Sequence, residues 1–166
     1  MRRMVAKLFN QHITADLRRS AAATMHNAAE RASPHETGGL LLGWWDGETI
    51  VIDDSVEVID KMATGNSWTR HEKDAQSTLN TVIDRRGNPN LGYIGDWHSH
   101  PAPVGASSRD LKSLTRASAQ YENPLALVVR LPNDSLKVYV ANRGKLMNVK
   151  LTSSSADSPD SISEDQ

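Results

Sequence analysis

Hydrophobic and polar positions change their spacing along the chain, and these changes predict where helices and strands begin and end. Three stretches have the apolar spacing or the flanking signals of helices: Thr14 to about Ala32, Trp68 to Arg86, and Ser108 to Gln120. We place Thr14 as the cap of the first helix. Thr69 and Glu72 have the spacing of a capping box at the start of the second helix.

Shorter apolar runs between the predicted helices indicate strands. Leu40 to Trp45 precedes Asp46-Gly47, a strong hairpin turn signal, and a return strand then covers Thr49 to about Ile59. Four more strands are predicted: Leu91 to His98, Leu125 to Leu131, Leu136 to Ala141, and Leu146 to Leu151. The pattern predicts one mixed α/β (α+β) domain over residues 1–151, with helices flanking a largely antiparallel sheet.

The last stretch, residues 152–166, differs in composition from the rest of the chain. It contains six Ser and four acidic residues, no basic residue, and one large apolar side chain, Ile162. Such a segment buries too little surface to offset the entropy of ordering it, so we predict a disordered tail. The remaining chain has 19 basic and 16 acidic residues, an excess that weakly favours an acidic partner.

Composition excludes several classes of function. The chain has no Cys, which rules out disulfide frameworks, Cys nucleophiles and thiolate zinc sites. Its 19 Lys and Arg balance 20 Asp and Glu, which gives no reason to expect nucleic acid or a membrane as partner. Lys7, Asn10, Gln11 and His12 interrupt any signal-peptide apolar region, and no run approaches the roughly 18 apolar residues of a membrane span, so we expect a cytoplasmic protein.

The residues with the clearest chemistry are two histidines near the end of a predicted strand. His98 and His100 are two positions apart, and strand alternation points both imidazoles to one face. Two imidazoles on one face suit a divalent metal. A pair of polar histidines at a strand terminus, without metal, is the alternative explanation.

Two carboxylates could complete such a site. Asp110 follows in Ser107-Ser108-Arg109-Asp110, a spacing that also fits a helix capping box, and the two roles are compatible. Glu36 precedes Gly38-Gly39, a pair that permits close approach of backbone. Two His and one Asp leave a fourth tetrahedral zinc position open, and a nearby carboxylate would then act as general base.

These motifs together resemble the JAMM (JAB1/MPN/Mov34) metalloprotease family. The family signature is an upstream Glu, then His-x-His-Pro, then Ser-x-x-Asp, and the chain has all of these elements in that order. The resemblance covers roughly residues 10 to 150. Members of the family commonly have one more residue between the second His and the Asp, and the shorter loop here makes Asp110 the least certain ligand.

The resemblance implies a cytidine-deaminase-like JAB/MPN fold and a role for each residue of the motifs. His98, His100 and Asp110 would bind one Zn²⁺ ion, Glu36 would be the base, and Ser107 would stabilise the oxyanion. Family members cleave after the C-terminus of ubiquitin or ubiquitin-like proteins. The chain looks most like stand-alone bacterial deconjugases of antiphage operons, which implies a ubiquitin-like substrate with an extended tail and E1/E2-like conjugation proteins as further partners.

Two other functions compete with this reading. Some MPN domains have lost the metal site and act only as scaffolds, although this chain has every signature residue. A non-haem iron oxygenase also uses two His and a carboxylate, but it normally sits in an all-β barrel. Around the site, the loop from Lys61 to Ser67 is expected either to border the substrate groove or to be a disordered loop without function. Trp97 is expected to point into the core, and Ser99 to have a hydrogen-bonding structural role.

Overall fold

The computed structural model describes residues 12–152, which form a sheet with helices on both faces. The helices are α1 (Arg19–Ala32), α2 (Glu72–Arg86) and α3 (Ser108–Ser118), with a short 3-10 turn at Pro132–Asp134. The strands are β1 (His12–Leu17), β2 (Gly38–Asp46), β3 (Thr49–Glu57), β4 (Gly92–Ser99), β5 (Leu125–Arg130), β6 (Leu136–Asn142), β7 (Lys145–Leu146) and β8 (Asn148–Thr152).

The eight strands form one curved sheet in the order β7-β6-β5-β4-β2-β3-β1-β8. Four neighbouring pairs are antiparallel, whereas β1 runs parallel to both β3 and β8, and β4 runs parallel to β5. The mostly antiparallel sheet confirms the predicted mixed α/β architecture. The parallel β4–β5 pair requires a crossover, and α3 supplies it.

The helices cover opposite faces of the sheet because the central strands alternate between two apolar clusters. In β5, Ala126 and Val128 pack with residues of α1, whereas Leu125, Leu127 and Val129 pack with Leu114 of α3. Burial on both faces explains why β5 is a continuous apolar run. Helix α2 lies over a smaller cluster built on β2.

The prediction of a first helix starting at Thr14 was wrong. Thr14 lies in β1, whose residues alternate between partly exposed and buried, with Ile13, Ala15 and Leu17 in the core. This period of two is the signature of a strand, and its parallel partners β3 and β8 lie far away in the sequence. Helix α1 begins at Arg19 instead.

The predicted start of the second helix was also wrong. The helix begins at Glu72, with His71 at the N-cap and no side-chain cap. The Thr69 backbone N–H donates to an Asp60 carboxylate oxygen at 2.9 Å, so Thr69 belongs to the preceding loop. Trp68 also lies in that loop and donates from its indole nitrogen to the Val58 carbonyl oxygen at 3.0 Å.

The glycine pair at the start of β2 allows the close approach that the sequence predicted. A Cβ on Gly39 would overlap the Val56 carbonyl oxygen, and one on Gly38 would lie 2.9 Å from the Trp68 ring. The pair therefore permits β2 to lie tightly between its neighbours.

Two predictions concern the ends of the chain. Thr152, the first residue of the predicted tail, is the last residue of β8. The rest of the tail lies outside the described residues, as do residues 1–11. Within the described part of the chain, no helix combines the length and the apolar character needed to cross a bilayer.

Candidate metal centre

The two histidines lie together at the carboxyl end of β4. His98 is buried and His100 is partly buried, and their Nε2 atoms are 3.0 Å apart. Trp97, the residue directly before His98, points to the opposite face of the sheet. It is fully buried under α1, as predicted. The alternation of β4 thus presents both imidazoles on the face that carries α2 and α3.

His100 is held by main-chain groups on two sides. Its backbone N–H donates to the Arg130 carbonyl oxygen at 2.8 Å. Its Nδ1 lies 2.8 Å from the Val104 carbonyl oxygen, which can only accept, so Nδ1 carries the proton. The Nε2 atom faces His98 and Asp110, and it is the nitrogen that the neutral form of this imidazole would offer to a metal ion.

Asp110 caps α3 and also faces the two histidines, a position compatible with both roles that the sequence allowed. Ser107 caps α3: its Oγ accepts from the Asp110 N–H at 3.1 Å, while the Ser107 N–H donates to Asp110 Oδ2 at 2.7 Å. The same Oδ2 lies 3.5 Å from His98 Nε2 and 3.7 Å from His100 Nε2. Burial alone would raise the pKa of this carboxyl, but the bonds from His98 and Ser107 lower it below its usual range.

The three side chains fit a tetrahedral zinc ion. Zn–N and Zn–O bonds of 2.0–2.1 Å with tetrahedral angles place neighbouring ligand atoms about 3.3 Å apart. The separations among His98, His100 and Asp110 are 3.0, 3.5 and 3.7 Å. Two imidazole nitrogens and a carboxylate oxygen converging at this spacing form a donor set suited to a borderline-soft divalent cation.

Glu36 lies just outside this triangle. Its Oε1 is 3.9 Å from His100 Nε2, and its backbone N–H donates to the Thr64 carbonyl oxygen at 2.7 Å. Burial in the cleft raises the pKa of the Glu36 carboxyl above its usual value, although His100 and His98 act in the opposite direction. A raised pKa brings a carboxylate closer to the range in which it serves as a general base near neutral pH.

The triangle lies in a cleft of about 630 Å³ between the loop that precedes α2 and helix α3. Gly65, Asn66 and Ser67 line one wall, as expected for part of the loop from Lys61 to Ser67, and Ser107 lines the other. The Ser107 hydroxyl accepts the capping bond, lies beside the Asp110 carboxylate, and lines a cleft that a substrate could enter.

Sequence reasoning missed a polar cluster in the same cleft, formed by Arg70, Asp96 and Tyr93. Arg70 donates to both carboxylate oxygens of Asp96, at 2.8 and 3.0 Å, and to the Tyr93 hydroxyl at 2.9 Å. One signal was available: Asp96 lies two positions before His98 on β4 and so shares its face. The sequence has no signal for its partner, because Arg70 lies in an irregular loop.

Ser99 has the hydrogen-bonding structural role that was predicted. Its hydroxyl accepts from the Thr37 N–H at 3.0 Å and faces away from His98 and His100. His35 is exposed. His26 and His71 pair with Asp134 and Asp60, away from the cleft.

Comparisons with known proteins agree with this geometry. The family model described as prokaryotic homologs of the JAB domain matches residues 18–140. The probable metalloprotease y4qB of Sinorhizobium fredii is 28% identical over 130 residues, covering 66% of this chain and 71% of that protein. The CD-NTase/cGAS isopeptidase of Enterobacter hormaechei subsp. hoffmannii is 25% identical over 126 residues, covering 69% of this chain and 67% of that protein.

The fold is also that of a solved structure. The solution structure of protein DSY2949 from Desulfitobacterium hafniense matches with a TM-score of 0.58 at 19% identity, covering 86% of this chain and 94% of that one.

Fold and site together define a JAB-type domain with a candidate metal centre at the end of β4. The matched range contains Glu36, His98, His100, Ser107 and Asp110. The chain belongs to the family of prokaryotic JAB-domain homologues, and the family resemblance seen in the sequence is confirmed.

Proposed function

We propose that the protein is a zinc-dependent isopeptidase or peptidase that cleaves after the C-terminus of a ubiquitin-like protein. The observation that carries the proposal is the spacing of His98, His100 and Asp110, with Glu36 just outside their triangle. The names of the curated relatives, a probable metalloprotease and a CD-NTase/cGAS isopeptidase, support hydrolysis of a peptide or isopeptide bond.

His98, His100 and Asp110 would hold the ion, and zinc bound there would supply Lewis-acid chemistry that polarises a carbonyl and makes water more acidic. Glu36, with its raised pKa, accepts a proton from the attacking water and returns it to the departing amine. Ser107 would donate a hydrogen bond from its hydroxyl to the carbonyl oxygen as that oxygen gains negative charge. His100 keeps its orientation through Val104, so its side chain does not need to reorganise during the reaction.

The cleft suits an extended chain segment as substrate. It lies between the loop wall and α3, and an extended C-terminal tail would reach the metal centre along it. The name of the Enterobacter relative supports an isopeptide conjugate as substrate, and we place the protein in a bacterial antiphage conjugation system with E1/E2-like partners.

The test is intact-mass analysis of a bacterial ubiquitin-like protein that carries a C-terminal extension. This substrate is incubated with zinc-loaded wild type and, separately, with zinc-loaded Glu36→Gln, the isosteric control. Bound metal is measured in both proteins. We expect cleavage at the tail by wild type only, with one zinc ion per chain in both proteins. Equal cleavage by Glu36→Gln removes Glu36 as base. A wild type that binds no zinc contradicts the proposed enzyme and favours the scaffold.

A further inference from the structure

Charge is distributed very unevenly between the two parts of the described chain. Residues 12–96 contain eight Lys and Arg with 13 Asp and Glu, whereas residues 97–152 contain eight Lys and Arg with only three Asp and Glu. The first part therefore carries a formal charge of −5 and the second a charge of +5. The second part contains α3 and β5 to β8, so the imbalance has a location in the fold.

Three of the positive charges share one side of α3. At about 100° per residue, Arg109, Lys112 and Arg116 fall within an arc of about 60°. All three are exposed, whereas Leu114 and Ser118 on the other side of the helix are buried. The helix therefore packs with one side and presents a row of cations with the other.

Further cations lie at both ends of this row. At the start of α3, Lys137 packs against Gly105, in the loop that leads to the Ser107 cap. At its end, the turn between β6 and β7 is fixed by a bond of 2.9 Å from the Gly144 N–H to Ser118 Oγ. We call the resulting surface the basic face: Arg109, Lys112, Arg116, Lys137, Arg143 and Lys145.

The charges of the basic face are not neutralised within residues 12–152. None of its six side chains forms an ion pair there, although five of the seven other arginines in the described chain do: Arg18, Arg31, Arg70, Arg86 and Arg130. Clustered like charges without counter-charges repel one another and attract an acidic surface, with a strength that falls as salt rises.

The basic face begins at the rim of the catalytic cleft. Arg109 lines the cleft directly beside Asp110, and Ser113 continues the same wall. The opposite wall carries Glu72 and Asp96. A molecule seated on the basic face would therefore be next to any scissile bond held at the metal centre.

We infer that the basic face is a docking surface for an acidic patch on the protein substrate whose scissile bond enters the cleft. The inference rests on the proposed function for the identity of the substrate. The acidic character of the substrate's patch is inferred from the positive charges of the basic face. A folded protein is the expected occupant rather than nucleic acid, because the basic face borders the cleft that the proposed function assigns to a protein substrate.

The test compares two double charge reversals that remove the same number of exposed cations. Lys112→Glu with Arg116→Glu alters the basic face. Lys73→Glu with Arg85→Glu, on α2, alters exposed cations that form no ion pair in the described chain and is the matched control. The probe is a fluorescein-labelled oligoglutamate peptide, followed by anisotropy at low and high salt, and a DNA duplex of equal charge serves as competitor.

We expect wild type and the α2 control to bind oligoglutamate within twofold of each other, and the α3 variant to bind at least about tenfold more weakly at low salt. With a cleavable substrate, the α3 variant should raise KM and leave kcat unchanged. Equal losses in both variants, no binding by wild type, or tighter binding of the DNA would overturn the inference. The peptide-binding measurement does not require turnover. If oligoglutamate binding is intact and depends on α3 but no substrate is cleaved, the proposed function is contradicted and the docking surface is not.

Discussion

One guanidinium nitrogen of Arg70 contacts both carboxylate oxygens of Asp96, at 2.8 and 3.0 Å. Asp96 belongs to the strand that carries the metal-site histidines, and Arg70 to the loop that forms the opposite wall of the cleft. The same loop supplies the Thr64 carbonyl that accepts the backbone N–H of Glu36. The ion pair thus connects the wall that holds Glu36 to the strand that ends at the two histidines.

Arg70→Ala should destabilise the protein by about 2 kcal/mol, because it leaves a partly buried carboxylate without its charged partner. The control is Arg86→Ala, which removes a more exposed guanidinium, 46% against 26% for Arg70, from Asp53 and Asp54 and should cost less than about 1 kcal/mol. Urea denaturation measures both. Equal losses would show that the Arg70 pair contributes no more than an ordinary surface pair.

Gly39→Ala should cost about 3 kcal/mol or more, since its Cβ would overlap the backbone of β3 and force two strands apart. Gly92→Ala is the matched control: a Cβ there has no neighbour within 4 Å, and its effect should stay within about 0.5 kcal/mol. Thermal denaturation of the two variants measures both losses of stability. A tolerated alanine at position 39 would contradict the close approach of β2 and β3.

Asp60 makes the stability of the cleft loop depend on pH. It accepts bonds from His71 and from the Met62 and Thr69 N–H groups, which lower the pKa of its carboxyl. A pKa lower in the folded state contributes stability above the unfolded value of about 3.9, and that contribution is lost as pH falls through the folded pKa.

Asp60→Asn should therefore destabilise the protein more at pH 7 than at pH 3. The control is Asp84→Asn on α2, which makes none of these side-chain bonds and should cost the same at both pH values. Urea midpoints at the two pH values give the comparison. A loss for Asp60→Asn that does not change with pH would contradict the role of its charge.

Ser107→Ala separates the helix cap from the metal centre. Loss of the capping oxygen should cost about 1 kcal/mol, and loss of the hydroxyl donor should lower kcat about 100-fold. Bound zinc should remain, since His98, His100 and Asp110 are unchanged. Ser108→Ala, at the neighbouring exposed position, should alter none of the three quantities. An unchanged kcat in Ser107→Ala would remove Ser107 from the oxyanion role.

The sequence predicted most of the strands, the shared face of the two histidines and the capping box at Asp110, because these features depend on local patterns. The β4 alternation placed His98 and His100 on one face, and the Ser-x-x-Asp spacing placed Asp110 in a capping box. Longer-range contacts had no such signal. β1 was misread because its partners are distant strands, and the start of α2 was misread because Asp60 engages Thr69 across the loop.

The same limit applies to the groups that orient the site. Carbonyl oxygens of Val104 and Thr64 fix His100 and Glu36, and main-chain acceptors cannot be read from residue identity. The contact between Arg70 and Asp96 depends on the path of the loop, which no local sequence pattern predicts.

The shared use of Asp110 Oδ2 bears on how catalytic and non-catalytic members of such a family arise. Since one oxygen both stabilises the first turn of α3 and faces the two histidines, the ligand has a structural reason to exist even without metal. An Asn at this position keeps an oxygen for the turn but loses the negative charge that a cation needs. A single-base change in the gene would thus remove one of the three candidate ligands while preserving the cap of α3 and the folded domain.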